Sequence, residues 1–148
     1  MAVSESRIVT GITTGIIPAA ATTGMLLGYG IRLGAPWRVL QAVGGILVGA
    51  GADGANHTVL ATGVGLALHL VVTLACGIAY VTLTRDAREH RFAWAIAIAA
   101  AVDAAAFIVA RTFGGSIALA LTPGNLVAIG VAIAISLPIG MRFAFSRL

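Results

Sequence analysis

Residues 58–84, TVLATGVGLALHLVVTLACGIAYVTLT, run for twenty-seven positions without an Asp, Glu, Lys or Arg. At about 1.5 Å of rise per residue, roughly twenty apolar residues cross the ~30 Å hydrocarbon core of a bilayer. Inside a membrane every backbone polar group must be satisfied within the segment, so a stretch like this folds as a helix. It also fixes the environment of the rest of the chain, because the other apolar runs have to stand beside it.

Three more runs reach spanning length, over about 8–31, 92–113 and 125–145. Only 9% of the 148 residues are charged and 59% are hydrophobic, against roughly 25% charged in soluble domains. A chain this short cannot bury that excess internally, so lipid is its solvent. The expected fold is all-α: one polytopic transmembrane domain over 1–148. The first run is read as a retained span, not a cleaved leader, because one arginine precedes it and it is rich in Thr and Gly.

Residues 36–52, PWRVLQAVGGILVGAGA, are the ambiguous piece. At about 25 Å they fall short of the hydrocarbon core. The expectation is a short interfacial or re-entrant helix with Trp37 at headgroup depth. Arg38, Gln41 and Gly45 share one face of it, with Leu40, Val43 and Leu47 opposite. GAGADGAN (49–56) reads as a loop, and so does 114–124 with its Pro123-Gly124 turn signal.

All nine basic residues are arginines, mostly at the ends of apolar runs. Spread in this way they suit lipid headgroups and not nucleic acid, whose electrostatic footprint is a clustered basic face. With four spans, Arg7, Arg85, Arg88, Arg91, Arg142 and Arg147 share one side, leaving Arg32, Arg38 and Arg111 on the other. That split of six to three places both termini in the cytoplasm. If the short helix crossed as well, five spans would split the arginines seven to two with the N-terminus outside. Helix length and glycine content favour four.

The 58–84 helix carries Thr58, Thr62, Gly65, His69, Thr73, Gly77, Tyr80 and Thr84 on one face. Two readings of that face stay open. It could line a wet path, with Thr62, Thr73 and Tyr80 along it, or it could be a packing seam of small and polar residues. His69 lies near mid-membrane, and so does Asp103 in the third span. Ionisable groups at that depth are costly and mark proton or ion sites, or structural hydrogen bonds. His69 and Asp103 are therefore the candidate proton or ion site, and a direct pair between them is the first expectation.

Other chemistry finds little footing. Cys76 is a lone cysteine in an apolar run and reads as a small hydrophobe. No second intramembrane His and no Cys-x-x-Cys-His exists for haem, and His69 with Asp103 gives too few ligands for a metal. Ser116 and Ser136 lack a nucleophile setting. The expectation is a protein without cofactor or catalytic set.

An internal repeat is also legible. His69-x3-Thr73-x3-Gly77-x2-Tyr80 aligns with Ala132-x3-Ser136-x3-Gly140-x2-Phe143, and Arg32 with Arg111. The 36–52 helix then becomes an insertion in the first half. GIIPAAATTGMLLGYGIRLG (Gly15 to Gly34), followed by Gly65-x3-His69-x7-Gly77-x2-Tyr80, resembles a group of small bacterial four-helix membrane proteins of uncharacterised function. The likeness covers the first half of the chain. It implies the four-helix architecture; the expected location is a bacterial inner membrane.

Two functions follow as expectations. One is a non-catalytic accessory subunit that packs against other membrane proteins or itself through its Gly and Ala faces. The other is a proton-coupled small-solute carrier or ion channel, acting as an oligomer and using Asp103 and His69.

Overall fold

A computed structural model describes residues 2–49, 58–85 and 88–145. Among them are six α-helices, in order α1 (Ala2–Arg32), α2 (Arg38–Leu47), α3 (Thr58–Thr84), α4 (Arg91–Phe113), α5 (Gly115–Ala120) and α6 (Pro123–Phe145). A 3-10 turn over Arg88–His90 leads into α4. No strand occurs among the described residues. Four helices, α1, α3, α4 and α6, are long and apolar enough to cross a membrane. The chain is an all-α polytopic membrane protein with four candidate spans.

The α3 boundaries coincide with the expected 58–84. Elsewhere the boundaries move for identifiable reasons. The polar segment before residue 8 continues α1 back to Ala2 instead of preceding it. The expected loop over 114–124 contains α5, which starts on two glycines of positive φ, Gly114 and Gly115. Pro123 does not make a turn. It opens α6, where its missing N–H is one that a first helical turn leaves unpaired anyway. The loop expected over 49–56 lies outside the described residues from 50 onward, as does His57.

α1 is the centre of the bundle. It packs extensively on α3 and α6, α2 packs on α3, and α4 packs on α6. α3 and α4 touch only sparingly, although a short connection joins them. Glycines set these distances. A Cβ on Gly77 of α3 would strike the Gly11 carbonyl and the Gly15 backbone of α1, and one on Gly11 would strike Ile78. The Gly11-x3-Gly15 pair is thus a close-contact surface, as small-xxx-small pairs allow. Gly24 and Gly28, the second such pair on α1, face open space.

α2 spans about 15 Å, half the hydrocarbon thickness. It does not lie loosely on the surface. A Cβ on Gly44 would enter the Ala61 carbonyl of α3, and one on Gly65 would enter the Leu40 carbonyl of α2. Its buried residues are Val39, Leu40, Ala42, Gly44 and Gly45, while Arg38, Trp37 and Leu47 are exposed. Gly45 therefore joins Leu40 on the buried side and Leu47 joins Arg38 on the exposed one, so these two residues exchange the faces expected for them. The helix had to turn its glycines toward α3, because only they admit this backbone approach.

The order long span, short helix, long span occurs twice, as α1–α2–α3 and α4–α5–α6. A short helix therefore stands in both connections, and the first connection remains the longer one. The two short helices touch, with Arg38 Nε donating to the Ser116 hydroxyl at 3.3 Å. Arg32 lies over the Tyr29 ring and Arg111 over the Phe107 ring, at 5.9 and 5.6 Å, so the aligned arginines end α1 and α4 alike. One equivalence fails. The α1–α6 contact is tight, while its counterpart between α4 and α3 is parted.

Candidate functional site

The parting between α3 and α4 leaves a cavity of about 440 Å³. Its lining is almost wholly apolar, with Leu40 and Val43 of α2 and Ile133 of α6 on its walls. Four polar side chains interrupt it: Thr22 on α1, His69 and Thr73 on α3, and Asp103 on α4. A small-molecule site has this composition, apolar walls with a few convergent polar groups, and falls within the ~300–1,000 Å³ such sites occupy.

His69 is tied to α1. Its Nε2 lies 3.1 Å from Thr22 Oγ1. Thr22 is buried, and its hydroxyl donates to the Pro18 carbonyl one turn below, at 2.7 Å. A hydroxyl has one proton. With that proton on Pro18, Thr22 can only accept from the ring, so the hydrogen-bond network assigns the proton of a neutral His69 to Nε2. The Ala19 carbonyl, which also interacts with the ring, is likewise an acceptor. With the ring proton on Nε2, Nδ1 is left with its lone pair.

Asp103 stands on the opposite wall, near the middle of α4. Its carboxyl packs over Gly130 of α6: a Cβ there would collide with Asp103 Oδ2 and lie 3.0 Å from Cγ. Oδ1 is buried and has no hydrogen-bond partner. Among the described residues no arginine lines the cavity. The nearest in α4, Arg111, stacks on Phe107. An unpaired charge in such a place costs several kcal/mol or more, so this carboxyl calls for a proton or a cation.

The expected direct His69–Asp103 pair is not formed. The two residues share one cavity, with no hydrogen bond or ion pair between them. His69 leans to α1 and Asp103 to α6, because each follows the helix its own span packs against.

The polar face of α3 divides accordingly. Gly65 meets α2, Gly77 meets α1, and Thr84 reaches the Met141 sulfur of α6 at 3.7 Å. Thr73 turns its hydroxyl back to the His69 carbonyl at 2.9 Å, and Tyr80 is fully buried with an unpartnered hydroxyl. Thr62 is half-buried. The face is a packing seam along most of its length, and only its Gly65–His69–Thr73 portion meets the cavity. Cys76 is free and buried. Among the described residues no group of three metal-ligating side chains occurs.

Gly130 and Thr22 belong to the site although neither carried an expected chemical role in it. The spacing of Thr22 four residues after Pro18 was the available signal, since a hydroxyl there bonds back to the proline carbonyl. Comparison with protein-family models, curated proteins and solved structures returns no match for this chain.

Proposed function

We propose that the protein is a proton-coupled carrier of a small, largely apolar solute, which it holds in the α3–α4 cavity. The observation that carries this reading is the unpartnered Asp103 carboxyl on an otherwise apolar cavity shared with His69. A carboxyl that must alternate between a proton and another partner couples the two. A single chain supplies every group of the site, so an oligomer is needed only if the route to either face of the membrane requires one. The arginine distribution supports both termini in the cytoplasm, and the membrane we propose is a bacterial inner membrane.

The test is proton movement in liposomes that enclose a pH-reporting dye. Under an imposed proton gradient, wild-type protein is expected to pass protons when small alkyl amines, alcohols or carboxylates are added, and Asp103→Asn to lose the response. Background flux for wild type with all three classes overturns the reading.

A second reading has its own support. Only 11% of the apolar window of α4 is buried, against 44% for α6. The exposed face of α4 carries Ala93, Ala97, Ala100 and Ala104, and Gly24 and Gly28 of α1 meet nothing. Small residues that no helix of this chain uses suit packing against another membrane subunit or a second copy. Co-purification in mild detergent tests it. A lone monomer counts against the subunit role.

A further inference from the structure

We propose that the solute is a lipophilic amine, bound as its ammonium between the Asp103 carboxylate and the lone pair of His69 Nδ1. This inference takes the carrier reading as its premise and specifies the solute class. Both polar groups that the cavity leaves unpartnered act as acceptors toward a ligand. Asp103, once ionised, can only accept. His69 has committed its one ring proton to α1, so its free nitrogen accepts too. Thr22 and Thr73 have spent their hydroxyl protons on the Pro18 and His69 carbonyls. Among the described residues the cavity therefore offers acceptors and one negative charge, and no arginine.

A ligand that matches must bring donors and a positive charge. An ammonium does both, with N–H groups for Oδ1 and Nδ1. A carboxylate ligand would face a like charge, and an alcohol would leave the charge of Asp103 unmet. The rest of the ligand must be apolar. At about 30 Å³ per water-sized group, 440 Å³ holds roughly fifteen non-hydrogen atoms. Among the described residues no Phe, Tyr or Trp lines the cavity, so a quaternary cation without N–H donors would gain neither a cation–π contact nor a hydrogen bond.

Proton and ammonium would compete for one carboxyl. Among the described residues the only other titratable group that faces the cavity is His69, from α3. α1, α2 and α6 contribute Thr22 and aliphatic residues alone. Binding should accordingly weaken as pH falls and Asp103 takes up its proton. A primary alkylamine, like the lysine side chain with its pKa near 10.4, stays protonated throughout.

The experiment is equilibrium dialysis of radiolabelled n-octylamine, n-octanol and octanoate against the protein in nanodiscs, with empty nanodiscs as baseline. Octylamine should bind wild type at least about tenfold more tightly than octanol, a difference of ~1.4 kcal/mol. Asp103→Asn should abolish that preference, Asp103→Glu should retain it, and octylamine binding to wild type should fall on acidification. If octanol or octanoate binds as well as octylamine, or the preference survives in Asp103→Asn, the amine assignment is overturned while the flux assay still judges the carrier reading. If none of the three binds above baseline, the amine assignment falls, and absence of proton flux then removes the carrier reading as well. Should Asp103→Asn fail to fold, the pH dependence of the wild type and the Asp103→Glu result decide the matter alone.

Discussion

Gly140 of α6 rests against the Thr14 carbonyl of α1, the carbonyl that Pro18 leaves without its helical amide donor. A proline inside a spanning helix frees the carbonyl four residues earlier, and in lipid that group cannot turn to water. Here α6 covers it through the one residue type whose Cα can come that close. The contact holds α6 on α1, and α6 in turn carries Gly130 beneath Asp103. A backbone irregularity in the first span is thereby linked to the placement of the acid.

Gly140→Ala should therefore destabilise the fold. Its Cβ would meet backbone atoms that cannot step aside, and overpacking of this kind costs about 1–3 kcal/mol. Gly44→Ala and Gly65→Ala, which meet the Ala61 and Leu40 carbonyls, should cost at least as much. Gly24→Ala and Gly28→Ala meet open space and should leave stability unchanged or raise it slightly, since alanine forms helix better than glycine. Denaturant or thermal unfolding in detergent, followed by circular dichroism, ranks the five. Equal losses in both groups would contradict the packing described.

Gly130→Ala separates packing from chemistry. The group in its way is the Asp103 carboxyl, the mobile end of a side chain, so the carboxyl moves and the backbone stays. Stability should change by less than about 1 kcal/mol, well below the loss for Gly140→Ala. Proton flux and octylamine binding should change severalfold, because Oδ1 and Oδ2 leave their positions. A variant that matches wild type in both assays would show that the site does not depend on this geometry.

Much of this architecture is legible in the chain. Four spans follow from length and hydropathy, and α3 from an uncharged run that only a membrane helix can use. The short α5 is not legible, because GSIALA has too few residues for a period and begins on glycines that signal a turn. Asp103 is visible as an anomaly, and its neighbour is not. That Gly130 lies beneath it depends on the register of α4 against α6, which is set by contacts distant in sequence. The His69–Asp103 pair fails for the same reason. Equal depth is a property of each helix, whereas contact requires α3 and α4 to close, and their packing on α1 and α6 holds them apart.

Reactivity should follow the four-span topology. With Cys76 replaced by Ser, a cysteine at Glu89, exposed beside the α3–α4 connection, and one at Gly34, exposed beyond α1, lie at opposite ends of the bundle. A membrane-impermeant maleimide added to intact cells should label Gly34→Cys alone, and Glu89→Cys only after the membrane is opened. The reverse pattern would invert the proposed orientation, and labelling of both from one side would contradict the four-span arrangement.

Thr22 provides the sharpest test of the acceptor pair, because it controls His69 from behind. Thr22→Val removes the side-chain acceptor of the Nε2 proton and leaves only the Ala19 carbonyl to hold it. The direct loss of stability should be modest, about 0.6–2 kcal/mol, since hydrogen bonds between membrane helices average near the lower figure. The effect on the site should be larger than that suggests. Without its tie to Thr22 the imidazole can carry its proton on Nδ1 instead, where it faces an ammonium donor to donor. Octylamine binding should weaken severalfold although Thr22 is not one of the proposed ammonium ligands, while octanol, which can donate or accept, should be affected less. Thr22→Ser keeps the hydroxyl and should restore both the amine preference and the ring nitrogen resonances of the wild type in ¹⁵N spectra of labelled His69. A Thr22→Val protein with those resonances unmoved would show that the Thr22 hydroxyl does not set the tautomer, and the amine preference would then have to rest on Asp103 alone.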